Sequence, residues 1–235
     1  MKFHQLAALI SLTLPLAAQA ADESCTHAQP INATEGNLGD FIIEQSADGK
    51  GQIFSGCVAV TNEDSSTQER RYNVYIPQAY SRSTSKKFPM MLGFHGGGGS
   101  DNNVKFQDYM ELDRVNDLAG DDGFVIIYPN AFEGNWADGR VIDSTREESD
   151  SFKQNDLGFV EAIITQLSNH YRMDKQRVYA AGISNGGMMS ANLACNPSDK
   201  YDLLGISMIS SIIHTDIARD CQAAPGLKVS PEFKS

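Results

Sequence analysis

Val178-Tyr179-Ala180-Ala181-Gly182-Ile183-Ser184-Asn185-Gly186 runs an apolar segment directly into a G-x-S-x-G sequence. The run after it, Gly186 to Ala194, holds small residues and Met and suits a helix. Strand, tight turn and helix are the setting in which such a serine projects its hydroxyl from the top of a sheet. The flanking glycines have a steric reason. The helix returns close beside the strand, and a side chain two residues before or after the serine would meet backbone there. The new helix also aims its first N–H groups at the serine, where negative charge would develop. A plain strand-to-helix turn carrying an ordinary serine would share the same five letters. A second motif argues for chemistry.

That second motif is His95-Gly96-Gly97-Gly98-Gly99, directly after the apolar run Phe88 to Phe94. It is of the HGGG type, whose glycines let a loop bend sharply and present backbone N–H donors to an oxyanion. Gly97 is the first choice as donor and Gly98 the alternative; the Asn185 N–H, next to the serine, is the second donor. His95 sits at the strand end and is read as holding the glycine loop, not as a catalytic base. The glycine run is no phosphate cradle, because no G-K-[ST] follows it and no G-x-G-x-x-G opens a helix.

Around these motifs the chain alternates strands and helices. Strands are expected at Arg71–Pro77, Phe88–Phe94, Gly123–Tyr128, Val178–Gly182 and Leu203–Ile209. Helices are expected at Met110–Ala119, at Asp156–Tyr171 with Phe159, Val160, Ile163, Ile164 and Leu167 on one face, and at Gly186–Ala194. Residues 21 to 50 read as an irregular lead-in, and residues 130 to 154 as a long polar stretch. The fold class is therefore α/β, a mostly parallel sheet with helices on both faces.

The first twenty residues read as a signal peptide: Lys2, an apolar run from Leu6 to Leu16, and Ala18-Gln19-Ala20 as the cleavage site. The chain from residue 21 to 235 then forms a single exported domain. The full sequence carries 19 Lys and Arg against 30 Asp and Glu. Loss of the leader removes Lys2 and no acid, so the mature charge moves from -11 to -12. Such a chain has no general attraction for nucleic acid or anionic lipid. No later segment is apolar enough to span a membrane, so no membrane anchoring is expected. The four cysteines all lie in the exported part. Neighbouring pairs, Cys25 with Cys57 and Cys195 with Cys221, are the simplest disulfides, and free buried thiols are the alternative. No spacing suits zinc, and neither a metal nor a cofactor is expected. Asn32-Ala33-Thr34 is a glycosylation sequon.

Four segments carry a family resemblance: FHGGGGS at 94–100, GFVIIYPNAFEGNWADGR at 123–140, DLGFVEAIITQL at 156–167 and RVYAAGISNGGMMSANLAC at 177–195. The chain resembles the secreted esterases grouped with polyhydroxybutyrate depolymerases and feruloyl or acetylxylan esterases. The resemblance implies an α/β-hydrolase fold and a serine carboxylic-ester hydrolase with Ser184 as nucleophile. It places Trp136 and Arg140 in a loop that lines or braces the pocket, with core packing as the alternative for Trp136. The implied substrate is an ester of a plant polysaccharide, with polyester as the alternative.

The chain departs from that family in one respect. The triad order there is Ser, Asp, His, and the only His after Ser184 is His214. The family Asp and His lie beyond the strand expected at Leu203–Ile209, and the last strands of the sheet are missing. The tail offers at most one short strand around Leu227 to Val229. The sequence thus reads as incomplete at its C-terminus. The alternatives are a makeshift triad of His214 with Asp216, Asp220 or Asp202, and a non-catalytic remnant or binding protein.

Overall fold

A computed structural model of the chain describes residues 42–45, 51–81, 85–99, 123–140, 150–219, 221 and 228–229. Strands β1 (Ile42–Gln45), β2 (Gly51–Thr61), β3 (Thr67–Pro77), β4 (Phe88–Phe94), β5 (Val125–Pro129), β6 (Met173–Ile183), β7 (Leu203–Ile209) and β8 (Lys228–Val229) form one sheet. Their order is β1-β2-β3-β5-β4-β6-β7-β8. The pairs from β1 to β5 through β2 and β3 are antiparallel. From β5 onward every pair is parallel. The helices are α1 (Gln78–Ser81), α2 (Asp156–His170), α3 (Asn185–Cys195) and α4 (Thr215–Arg219). The expected α/β class holds.

Alternation along the strands sorts the core into two faces. Phe88, Met90, Leu92 and Phe94 of β4 share one cluster with Val125 and Ile127 of β5 and with Tyr72, Val74 and Ile76 of β3. Phe159, Val160, Ile163, Ile164 and Leu167 of α2 and Met189 and Leu193 of α3 pack into the same cluster. Each such apolar side chain contributes about 1.5–3 kcal/mol on leaving water. The two long described helices therefore cover one face. Tyr75 and Ile126 are buried on the other, packed by Met91, Phe124 and Tyr128. The helix expected at Met110–Ala119 lies outside the described residues. Asn155 caps α2 by accepting the Gly158 N–H at 2.8 Å.

The structure extends the expected elements where polarity hid them. β2 pairs with β3 as a hairpin closing at Thr61 opposite Thr67, so β3 starts before Arg71. β6 starts at Met173, because exposed Lys175, Gln176 and Arg177 interrupt the apolar run yet stay extended. The lead-in is not wholly irregular, since Ile42–Gln45 pairs antiparallel with β2. The short strand expected near the end is β8, parallel to β7. The polar stretch after Asn130 holds two 3-10 turns, Phe132–Gly134 and Asp150–Lys153.

Cys195 and Cys221 are disulfide-bonded, which ties the end of α3 to the chain beyond α4. Cys57 is disulfide-bonded as well; Cys25, its expected partner, lies outside the described residues, as do the leader and the Asn32 sequon. No helix among the described residues is long and apolar enough to cross a membrane.

Candidate active site

Parallel register brings four chain segments to one edge of the sheet. Phe94 pairs with Gly182, Leu92 with Ile127 and Ile183 with Ile209. The loops after β4, β5, β6 and β7 therefore emerge side by side at the carboxyl ends of the strands, where open α/β sheets bind ligands.

Ser184 is exposed at this edge with φ 51° and ψ -120°, a conformation that costs a non-glycine residue about 1–3 kcal/mol. The strain is held in place from both sides. The Ser184 N–H donates to the Ile209 carbonyl at 2.9 Å, and its carbonyl accepts from the Met188 N–H at 3.1 Å. Ser211 Oγ also donates to that carbonyl, at 2.7 Å. The two motif glycines behave as the sequence predicts. A Cβ on Gly182 would lie 2.2 Å from the Gly186 carbonyl oxygen, and one on Gly186 would lie 2.3 Å from that of Phe94.

The glycine loop lies against this elbow. The Gly99 N–H donates to the Gly96 carbonyl at 3.1 Å, and Gly98 has φ 77°. That is a tight turn with positive φ at its third residue, as in type II. A Cβ on Gly96 would approach Ser184 Cβ to 3.8 Å, and one on Gly97 would approach Asn185 Cβ to 3.8 Å. The Gly98 N–H is already donated to the Gly134 carbonyl at 2.8 Å. That leaves Gly97 as the better-placed donor of the two. Asn185 opens α3, where a first-turn N–H has no partner within the helix.

His95 is 4% exposed and has the structural role expected of it. Its Nε2 accepts the Ala131 N–H at 3.2 Å, so its Nδ1 carries the hydrogen and donates to the Gly96 carbonyl at 2.8 Å. Trp136 is fully buried. Its Nε1–H donates to the His95 carbonyl at 2.9 Å, and its ring meets Phe94 edge-on at 5.0 Å. Arg140 is turned to Asp138, with Nε 2.9 Å from Oδ1, and sits 5.5 Å from the centre of the Phe152 ring.

Sequence reading treated Asn185 as a backbone donor and passed over Asp138, Asp156 and Arg70. All four are buried. Asn185 Oδ1 accepts the Trp136 N–H at 2.8 Å, and Asn185 Nδ2 donates to Asp138 Oδ2 at 2.5 Å. Asp156 Oδ2 accepts the Ala137 N–H at 2.7 Å, and its Oδ1 lies 2.7 Å from Arg70 Nη1. Burial pushes the Asp156 carboxyl up from its ordinary value, against the opposing pull of Arg70. The only available signal was position: Asp138 stands two residues after Trp136 inside a quoted segment, and Asp156 opens the amphipathic helix.

His214 stands between β7 and α4, on the chain that follows Ile209. Asp202 precedes β7, so about 3.3 Å per residue of strand separates it from the Ser184 edge. The makeshift triad through Asp202 is therefore not assembled. The side chains of Asp216 and Asp220 lie outside the description. No group of three metal-binding side chains occurs among the described residues.

Known proteins resemble this chain over much of its length. A family model described as esterase PHB depolymerase matches residues 70–223. A feruloyl esterase C of Emericella nidulans is 28% identical over 147 residues, 63% of this chain and 49% of that protein. A bifunctional acetylxylan esterase/xylanase of Neocallimastix patriciarum is 29% identical over 123 residues, 52% of this chain and 15% of that protein. The chain spans about half the length of the curated feruloyl esterases it matches. An S-formylglutathione hydrolase from Agrobacterium tumefaciens has a TM-score of 0.52 at 20% identity, covering 73% of this chain and 62% of that one; this likeness concerns the fold. With a matching family model over more than half its length, the chain belongs to the esterase PHB depolymerase family, within the α/β-hydrolase superfamily.

Proposed function

We propose that the protein is an exported serine carboxylic-ester hydrolase acting on feruloyl or acetyl esters of plant cell-wall polysaccharides. The observation that carries this reading is Ser184, strained at φ 51° and exposed, with the Gly96–Gly97 backbone beside it. Ser184 Oγ attacks the ester carbonyl carbon and its proton passes to a general base. The carbonyl oxygen becomes an oxyanion held by the Gly97 and Asn185 N–H groups. Collapse expels the alcohol, which takes up a proton, and leaves an acyl group on Ser184. Water then releases the acid and restores the serine.

A serine hydroxyl is a weak nucleophile until a base takes its proton. Among the described residues no side chain hydrogen-bonds Ser184 Oγ, so the nucleophile and the oxyanion donors are the parts in hand. The likeness to curated feruloyl and acetylxylan esterases supports cell-wall esters. The family's own description favours a second reading, polyester hydrolysis of the polyhydroxybutyrate type. The Cys195–Cys221 disulfide and the leader-like start support export to an oxidising compartment.

Hydrolysis of methyl ferulate, p-nitrophenyl acetate and a polyhydroxybutyrate film by the purified protein and by Ser184→Ala tests the reading. Cleavage of the small esters that disappears in the variant supports it. Film clearing without small-ester cleavage favours the polyester. Activity unchanged by Ser184→Ala rejects Ser184 as nucleophile.

A further inference from the structure

The segment from Asn130 to Arg140 touches both halves of the proposed oxyanion hole. On the glycine-loop side, the Gly134 carbonyl accepts the Gly98 N–H, the Ala131 N–H reaches His95 Nε2, and Trp136 Nε1–H reaches the His95 carbonyl. On the other side the same segment is bonded to the Asn185 side chain. Asn185 Oδ1 takes the Trp136 N–H at 2.8 Å, and Nδ2 reaches the Trp136 carbonyl at 3.2 Å and Asp138 Oδ2 at 2.5 Å. The Asn185 amide is thus fully engaged, and it belongs to the residue whose N–H faces the developing charge.

Asp138 anchors this arrangement. It is fully buried, and its second oxygen accepts from Arg140 N at 3.2 Å and Arg140 Nε at 2.9 Å. The preceding residue is fixed as well: Asp156 accepts the Ala137 N–H at 2.7 Å, and Asn192 Nδ2 of α3 donates to the Ala137 carbonyl at 3.3 Å. A buried carboxylate is costly unless it is paired and hydrogen-bonded, and here both oxygens have partners. Packing beneath the loop needs only an apolar residue at this place. A carboxylate aimed at the amide next to the nucleophile has a directional use instead.

We propose that Asp138 is a positioning residue: through the Asn185 side chain it sets the spacing between the two backbone donors, Asn185 N–H on the elbow and Gly97 N–H on the glycine loop. This rests on the serine-esterase reading above. Oxyanion donors act only when aimed at the place the oxygen will occupy, and loss of one donor costs about 10²–10³ in kcat. Partial misplacement falls below that ceiling.

Four variants of the full chain test the proposal: Asp138→Ala, Asn185→Ala, Asp138→Asn and Ser184→Ala. Fluorophosphonate labelling to completion counts reactive serines, and p-nitrophenyl acetate turnover is expressed per labelled site. Asp138→Ala and Asn185→Ala, which keep every backbone donor, are expected to lose about tenfold or more in kcat per labelled site with little change in KM. Asp138→Asn keeps an acceptor for Asn185 Nδ2 and is expected to recover most of that loss. A structural role alone would lower the number of labelled sites and leave turnover per site intact, and that outcome overturns the proposal. So does wild-type turnover in both alanine variants. If an alanine variant does not fold, wild-type turnover in the other still overturns it. Labelling that survives Ser184→Ala instead rejects the serine-esterase reading, and Asp138 is then not at issue.

Discussion

Gly186→Ala places one methyl group where the elbow meets the strand beside it. Its Cβ would lie 2.3 Å from the Phe94 carbonyl oxygen and 2.4 Å from that of His95. Ordinary contact begins near 3.4 Å, so the elbow and the end of β4 must part by about 1 Å, a misplacement that can cost about 10²-fold in rate. Both clashing atoms are backbone, so no side chain can swing away. The end of β4 also carries the glycine loop, so the shift separates the two proposed oxyanion donors directly. Overpacking of this kind costs about 1–3 kcal/mol of stability. Gly96→Ala is the matched control, since its Cβ would meet nothing nearer than 3.6 Å. The assay is p-nitrophenyl acetate kcat beside a urea titration for each variant. Gly186→Ala with near-native kcat and stability would show that the elbow and the glycine loop are not coupled by this contact.

Other expectations follow from the same packing. Replacing Asp156 by Ala strands the Arg70 charge at 4% exposure and should cost about 3–5 kcal/mol in urea unfolding. Arg70→Met with Asp156→Ala should cost less than Asp156→Ala alone, and an equal or larger loss would contradict the pair's role. The Cys195–Cys221 bond closes a loop of 26 residues, so Cys195→Ser with Cys221→Ser should lower stability by about 3.5 kcal/mol. A change below about 1 kcal/mol would show that the chain beyond α4 is held by other contacts. Gly98→Ala meets nothing within 4 Å but must adopt φ 77°, so it should cost about 1–2 kcal/mol from backbone conformation alone. A stability gain there would refute the turn geometry.

The elements that carry the site were legible because each announces itself locally. β4 and β7 are short apolar runs bounded by turn residues, and α2 shows a complete apolar stripe; all three match the structure to within a residue. The elbow was legible because backbone crowding demands glycine at 182 and 186, and that demand is written in the sequence. The hairpin of β2 and β3 was less visible. Arg70 and Arg71 interrupt its apolar pattern, and buried Arg70 finds its partners, Asp156 above all, far along the chain. The bracing network was not legible either. Nothing local distinguishes an Asp that anchors Asn185 from one that faces water, since the partner arrives only through the parallel pairing of β4, β5 and β6. Trp136 was ambiguous for the same reason: its indole N–H finds the His95 carbonyl across strands, a contact that no local pattern marks.

Whether Ser184 is a reactive nucleophile is read by locating a fluorophosphonate adduct through peptide mass mapping of the labelled protein. A single adduct is expected on the peptide containing Gly182-Ile183-Ser184-Asn185-Gly186, abolished in a folded Ser184→Ala variant. An adduct on another serine, or a folded wild-type protein that takes up no label, would contradict it.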